Sequence, residues 1–198
     1  MSEKPEKSND FGLILAGGAG RRFGCIEKGA LKLGGETLYA RAIARLSPQC
    51  AAVAISANGD PARLAGYGLP VLPDALPDCG PLGGVLSGLV WAREAGASHL
   101  VSVAVDTPFF PMDLVERLAV AECAQAASPS GLHPVFARWP VSLADNLLDF
   151  LKNGGRKVTA FTDNVSPERI SFQNQIYDPF LNINRPEDLI RATERLAP

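Results

Sequence analysis

The sequence predicts an α/β protein in three α/β/α layers, a mostly parallel sheet covered by helices on both faces. Three observations lead there. Leu13–Ala16, Ala51–Ser56 and Leu100–Val105 are short and apolar apart from Ser56 and Ser102, the pattern of strands buried on both faces. Segments with helical spacing lie between them, and that alternation implies parallel pairing through crossover helices. Residues with binding chemistry follow the strand ends: Gly17 and Gly18 after the first, Ser56–Asn58 after the second, Asp74 after the third, Asp106 after the strongest. Ligands of such sheets bind beyond the carboxyl ends of the strands, near a topological switch point. These residues are therefore expected along one rim.

The elements follow in order. Met1–Asp10 is polar, with no apolar core for a signal peptide, and reads as a disordered lead-in to one domain spanning 11–198. After the first strand and its glycine-rich turn, Leu31–Gly35 reads as an extended piece and a turn. Thr37 suits the cap of a helix running to Leu46, with Leu38, Ala42, Ile43 and Leu46 on one face. Ala51–Ser56 is the second strand, Pro61 starts a brief helical turn, and Leu69–Pro73 is the third strand. Pro81 fits the first position of a helix reaching Trp91. Gly83, Gly84 and Gly88 weaken that helix, by up to ~1 kcal/mol each relative to Ala, so close approach of backbone or ligand is expected there.

Leu100–Val105 is the clearest strand, and Pro111–Ala121 reads as a helix. Glu122–Ser128 is helix or strand, since periodicity does not separate the two. His133–Trp139 alternates loosely, as an antiparallel edge strand would. Ser142–Lys152 is an amphipathic helix, Lys157–Phe161 one more helical turn, and Ile170–Phe172 and Phe180–Ile183 are short strands. Pro186 opens a last helix, with Glu187 and Asp188 suited to its positive end.

Bulk properties narrow the function classes. A chain of 198 residues suits one domain, burying roughly 70% of its unfolded surface. Its 46% hydrophobic and 20% charged residues are ordinary for a globular protein. A net charge of −2 argues against a general nucleic-acid or membrane-surface binder, and no apolar run nears the ~20 residues that span a bilayer. Four scattered cysteines without a C-x-x-C pair, and two histidines, argue against a zinc site and for reduced thiols in a cytoplasm.

The turn after the first strand carries the sharpest signal. Gly17, Gly18 and Gly20 let the backbone approach a ligand, and successive N–H groups in such a turn form an anion-binding concavity. Arg21, Arg22 and Lys28 add positive charge, so the stretch reads as a polyphosphate cradle. Two familiar loops are absent: Gly18, Gly20 and Gly24 do not fit G-x-G-x-x-G, and Lys28 does not complete G-x-x-x-x-G-K-[ST]. Asp106 stands opposite. A carboxylate beside phosphate calls for a cation, and Mg²⁺ takes one or two carboxylates plus phosphate oxygens; helix capping or turn formation is the competing role. Asp74 is also compatible with an ordinary turn. His133 reads as a packed or hydrogen-bonded histidine, and no Ser or Cys nucleophile presents itself.

Leu15-Ala16-Gly17-Gly18, Gly20-Arg21-Arg22-Phe23-Gly24, Lys28 and Asp106-Thr107-Pro108 together resemble the nucleotidyltransferases. Gly80-Pro81-Leu82-Gly83-Gly84, His133-Pro134-Val135-Phe136, Gly155-Arg156-Lys157-Val158 and Phe180–Leu189 sharpen the resemblance to the molybdenum cofactor guanylyltransferase family. Gly17-Gly18, where cytidylyl-transferring relatives have Ala-Gly, points to GTP. The resemblance implies a Rossmann-like nucleotidyltransferase fold and transfer of GMP from GTP to molybdenum-molybdopterin. It implies GTP contacts from Leu15, Ala16, Gly17, Gly18, Lys28, Ser56, Asn58, Asp74 and Asp106, catalytic roles for Lys28, Arg22 and Asp106, and Mg²⁺ on Asp106. Asn182 and Asn184 would face the pterin. Cofactor-delivery proteins or molybdoenzyme chaperones are the implied partners. The alternatives are a cytidylyl- or sugar-phosphate nucleotidyltransferase, or a non-catalytic GTP-binding protein. The sequence departs from the family at Phe23 (usually Met), Cys25 (Gly), Glu27 (Asp) and Ser56 (Asn).

Overall fold

A computed structural model describes residues 8–17, 27–173 and 177–196. The chain enters through β1 (Phe11–Leu15). After a 3₁₀ turn at Lys28–Ala30, β2 (Lys32–Leu33) and β3 (Glu36–Thr37) close a hairpin over Gly34-Gly35. The α1 helix (Leu38–Leu46) starts where its sequence says: the Thr37 hydroxyl accepts from Ala40 N at 3.1 Å. Next come β4 (Ala52–Ser56), a 3₁₀ segment at Pro61–Tyr67, β5 (Val71–Leu72), α2 (Pro81–Glu94) and β6 (His99–Ala104). The remaining elements are α3 (Leu114–Leu118), β7 (Ala124–Ser128), β8 (Gly131–Pro140), α4 (Leu143–Lys152), α5 (Val158–Val165), β9 (Glu168–Ser171) and α6 (Pro186–Glu194).

Among the described residues, seven strands form one sheet in the order β5-β4-β1-β6-β8-β7-β9. All run parallel except β8, which is antiparallel to both its neighbours. The central strand β1 shows why three layers form. Ile14 packs on one face with Leu38, Ala42 and Leu46 of α1 and with residues of α3 and α6. Leu13 and Leu15 pack on the other with α2, α4 and Phe161 of α5. The α/β/α architecture expected from the sequence is present.

Several local expectations need correction. The antiparallel strand lies inside the sheet, not at its edge; the edges are β5 and β9. Its second half, Phe136–Trp139, is buried throughout, and loose alternation cannot distinguish that from an edge. Pro134 is accommodated because the β7–β8 register jumps there, with Gln125 opposite Ala137 and Ala126 opposite His133. Phe180–Ile183 forms no strand: Phe180 and Ile183 are buried in the core, and Ile183 N donates to Asp106 O at 2.8 Å. The helix expected from Pro111 to Ala121 keeps only Leu114–Leu118, α5 extends beyond one turn, and the ambiguous stretch before Ser128 is strand β7. Asp10, read from the sequence as part of the polar lead-in, is buried and ion-paired to Arg138.

Candidate active site

Backbone bonds between strand ends build a rim. Ala16 N donates to Ser56 O at 2.9 Å, and Val105 N to Leu15 O at 3.0 Å. Beyond these ends lies a cavity of about 450 Å³, lined by Leu15, Ala16, Gly17, Lys28, Ser56, Asn58, Asp74, Asp106 and Asn182 among others. The strand-end residues expected on one rim are thus brought together. A Cβ on Gly17 would meet nothing within 4 Å, so the backbone there is open to a ligand. Gly18 and Arg22, the other expected site residues, lie outside the described residues, as do Gly20, Arg21, Gly24 and Cys25.

One end of the cavity is ionic. Lys28 Nζ donates to Asp106 Oδ2 at 2.9 Å and to Asn184 Oδ1 at 2.6 Å. The side chains of Lys28 and Asp106 remain 21% and 17% exposed. Asn184 does not line the cavity but is held by α6, whose Asp188 carboxylate accepts from the backbone N–H groups of Asn184 (3.0 Å) and Arg185 (2.9 Å). Thr107 Oγ1 donates to Asn182 Oδ1. The Asn182–Asn184 segment is therefore docked onto the Asp106-Thr107 turn. Asp106 caps no helix, but it does form part of a turn, with Thr107 N donating to Ala104 O at 3.3 Å.

The other end is a polar clamp. Asn58 Nδ2 donates to Asp74 Oδ2 at 2.7 Å, and Asp74 N donates to Asn58 Oδ1 at 2.8 Å. Helix α2 approaches this end closely. A Cβ on Gly84 would lie 2.1 Å from Ser56 Oγ, and one on Gly83 3.1 Å from Asp74 Cγ. Gly83 and Gly84 thus let side chains of the rim fit under the first turn of α2, while Gly88 makes room for the core side chains of Leu13 and Leu100. Gly80 and Pro81 line the cavity, so the positive end of α2 faces it.

Gly80-Pro81 and Val135 belong to motifs that carry the resemblance yet have no expected site role from it; both line the cavity. Sequence reasoning also missed Arg63, which bonds Glu27 and the Asn58 carbonyl from an exposed turn. His133 is packed as expected. It stacks on Phe180 with ring centroids 4.3 Å apart, and its Nε2 lies 2.8 Å from Ser128 Oγ. Burial pushes the Cys123 thiol up to about 11, so it is protonated at neutral pH.

Comparison with known proteins places the fold in a family. The MobA-like NTP transferase domain matches residues 12–166. The molybdenum cofactor guanylyltransferase of Cereibacter sphaeroides is 50% identical, over 94% of this chain and 96% of its own length. That of a Bradyrhizobium strain is 45% identical, over 94% and 92%. The solved structure of molybdopterin-guanine dinucleotide biosynthesis protein A from Archaeoglobus fulgidus is 25% identical with a TM-score of 0.74, covering 94% of this chain and 98% of that one. With half its residues shared along nearly its whole length and the same sheet beneath them, the chain belongs to the MobA-like NTP transferases and, within them, to the molybdenum cofactor guanylyltransferase family.

Proposed function

We propose that this protein transfers GMP from GTP to molybdenum-bound molybdopterin, forming the guanine dinucleotide form of the cofactor and pyrophosphate. The observation that carries this reading is the Lys28–Asp106 pair at the edge of a cavity whose other end holds the Asn58–Asp74 clamp. A nucleoside triphosphate has matching halves, an anionic tail and a hydrogen-bonding nucleoside.

In this reading an oxygen of the molybdopterin terminal phosphate attacks the α-phosphorus of GTP. A new P–O bond forms, the bond to the bridging α–β oxygen breaks, and that oxygen leaves on pyrophosphate. The nucleophile is already anionic, so no general base is needed, in keeping with a cavity whose lining, among the described residues, holds neither His nor Cys. The residues act by holding and neutralising. Lys28 binds the triphosphate and offsets charge on the leaving group, with Arg22 as a second cation. The backbone at Leu15, Ala16 and Gly17, continuing to Gly18, lies along the nucleotide. Ser56 and Asn58 approach the nucleoside. The Asp74 carboxylate accepts from guanine N–H donors or ribose hydroxyls. Asn182 and Asn184 face the pterin.

Mg²⁺ fits the donors available. Asp106 Oδ2 accepts from Lys28 and leaves Oδ1 for a cation, beside a cavity open to phosphate oxygens. Among the described residues no group of three or more His, Cys, Asp or Glu gathers into a protein-only cage, and Mg²⁺ prefers a mixed carboxylate–phosphate–water shell. Bound there, the ion would neutralise charge developing on the phosphate oxygens.

The reading extends to a cytoplasmic setting and to exchange with cofactor-delivery proteins or molybdoenzyme chaperones. Incubation with GTP and molybdenum-molybdopterin tests the function, with pyrophosphate as readout. Release should require both substrates and fail with CTP. Release with CTP would point to a cytidylyltransferase, and GTP binding without release to a non-catalytic protein.

A further inference from the structure

We propose that Arg63 is a positioning residue that holds the two ends of the nucleotide cavity at a fixed spacing; this rests on the nucleotidyl-transfer reading above. Arg63 does not line the cavity. It stands in the 3₁₀ segment Pro61–Tyr67, whose entry is fixed by Asp60 Oδ1 accepting from Ala62 N at 2.9 Å. From there its guanidinium reaches two stretches of chain. Nε and Nη2 grip the Glu27 carboxylate, at 3.2 Å to Oε2 and 3.1 Å to Oε1 respectively. Nη2 also donates to the Asn58 carbonyl at 2.8 Å, and Nη1 to that of Asp60 at 2.5 Å.

Each stretch leads to one end of the cavity. Glu27 immediately precedes Lys28, and it receives a second bond, 2.6 Å long, from the Tyr39 hydroxyl. The buried Tyr39 ring also fills the space beside Gly29, where a Cβ would come within 2.2 Å of it. Both neighbours of Lys28 in the chain are therefore fixed by Tyr39. Burial, then the hydrogen bond to Glu27, push the Tyr39 phenol far above its ordinary value, so it remains a donor. Burial would raise the Glu27 pKa, but the bonds from Arg63 and Tyr39 win and hold it below its usual range. On the other side, Asn58 clamps Asp74 through two reciprocal bonds. The path Glu27–Arg63–Asn58–Asp74 is unbroken and crosses from the ionic end to the polar end.

The Arg63 side chain is 32% exposed, and exposed ion pairs typically contribute about 0–1 kcal/mol to stability. Stability alone is thus a weak account of these four bonds from one guanidinium. Setting the spacing of two subsites before binding reduces the ordering that a spanning ligand must impose. A lysine would not substitute, because one ammonium lacks the planar fork that reaches both stretches.

Titration calorimetry with GTP and with inorganic tripolyphosphate separates this role from a structural one, because only GTP spans both ends. In Arg63→Ala the GTP Kd should rise about tenfold and the tripolyphosphate Kd by less than about twofold. KM for GTP should rise while kcat at saturation holds, and Arg63→Lys should behave like the alanine variant. Glu27→Gln, which keeps the shape and removes the charge, should reproduce part of the GTP-selective loss, and the double variant should be no worse than Arg63→Ala. Equal weakening of both ligands, or no weakening, overturns the proposal. If Arg63→Ala fails to fold, Glu27→Gln decides by the same comparison. Failure of the wild-type protein to bind GTP would instead refute the underlying function.

Discussion

Two ion pairs at opposite ends of the sheet use similar groups for different ends. At the base, Arg138 meets Asp10 through Nε at 2.7 Å and Nη2 at 3.2 Å, with side chains 11% and 7% exposed. Its Nη1 donates to the carbonyls of Ala121 (2.8 Å) and Glu122 (3.4 Å). At the rim, Lys28 meets Asp106 in a single bond and borders a cavity of about 450 Å³. The fold itself satisfies the first pair, which has nothing left to offer a ligand. The second has an ammonium donor and a carboxylate oxygen free to change partners. Satisfaction by the surrounding fold, rather than charge or burial alone, separates a structural pair from a working one.

The largest effect should come from breaking the base pair. Arg138→Met leaves the buried Asp10 carboxylate without its cation, a change that typically costs about 3–5 kcal/mol. Chemical denaturation should register the loss, while turnover per folded molecule stays at the wild-type level. Replacing Asp10 as well, by Asn, should restore part of the stability, since the stranded charge is gone. A fall in turnover without a fall in stability would break the comparison.

At the rim the pattern should invert. Asp106→Asn should reduce pyrophosphate release by roughly 10²–10³, the scale seen when one group stabilising transition-state charge is removed, with the melting temperature little changed. Lys28→Met keeps the aliphatic stem and removes the ammonium. Hydrogen bonds to charged groups contribute about 1.5–3 kcal/mol, so GTP affinity should fall about ten- to a hundredfold. A collapse of stability in either variant would make the rim pair structural too.

The rim was legible because its residues obey a local rule. The runs of β1, β4 and β6 are apolar but for His99 and Ser102, so the polar residue that closes each run marks its carboxyl end; Ser56 and Asp106 are found in this way. The Thr37 cap and the Pro81 start of α2 are equally local signals. What escaped depends on partners distant in the chain. Asp10 and Arg138 are 128 positions apart, and nothing near either one announces the other. The interior place of β8 depends on which strands flank it, and its own alternation does not record that. Phe180–Ile183 has the composition of a strand, but the core takes its side chains while Ile183 N goes to Asp106. Arg63 sits in an exposed turn, where arginine is unremarked; only the fold brings Glu27 and Asn58 to it.

The smallest effect should come from a third polar group that lies between the two cases, and it asks which of them the group follows. His133 Nε2 lies 2.8 Å from Ser128 Oγ, which also donates to Asp178 Oδ2 at 3.0 Å. Burial holds the His133 pKa below the ordinary 6.5, against the upward pull of the Asp178 charge. Burial raises Asp178, but bonds from Ser130, Phe180 N and Ser128, with the charge of His133, outweigh it and keep its pKa low. Below pH 6.5 the unfolded chain therefore takes up a proton at His133 that the folded chain resists. Stability is complete above that pH and declines as pH falls toward the folded value. Asp178 adds a loss of the same sign below its ordinary 3.8. His133→Phe keeps an aromatic ring beside Phe180 and removes the titration. Its denaturation free energy should fall less steeply than wild type as the pH drops below 6.5. An unchanged slope accompanied by a shifted pH profile of kcat would move His133 from the structural side to the rim.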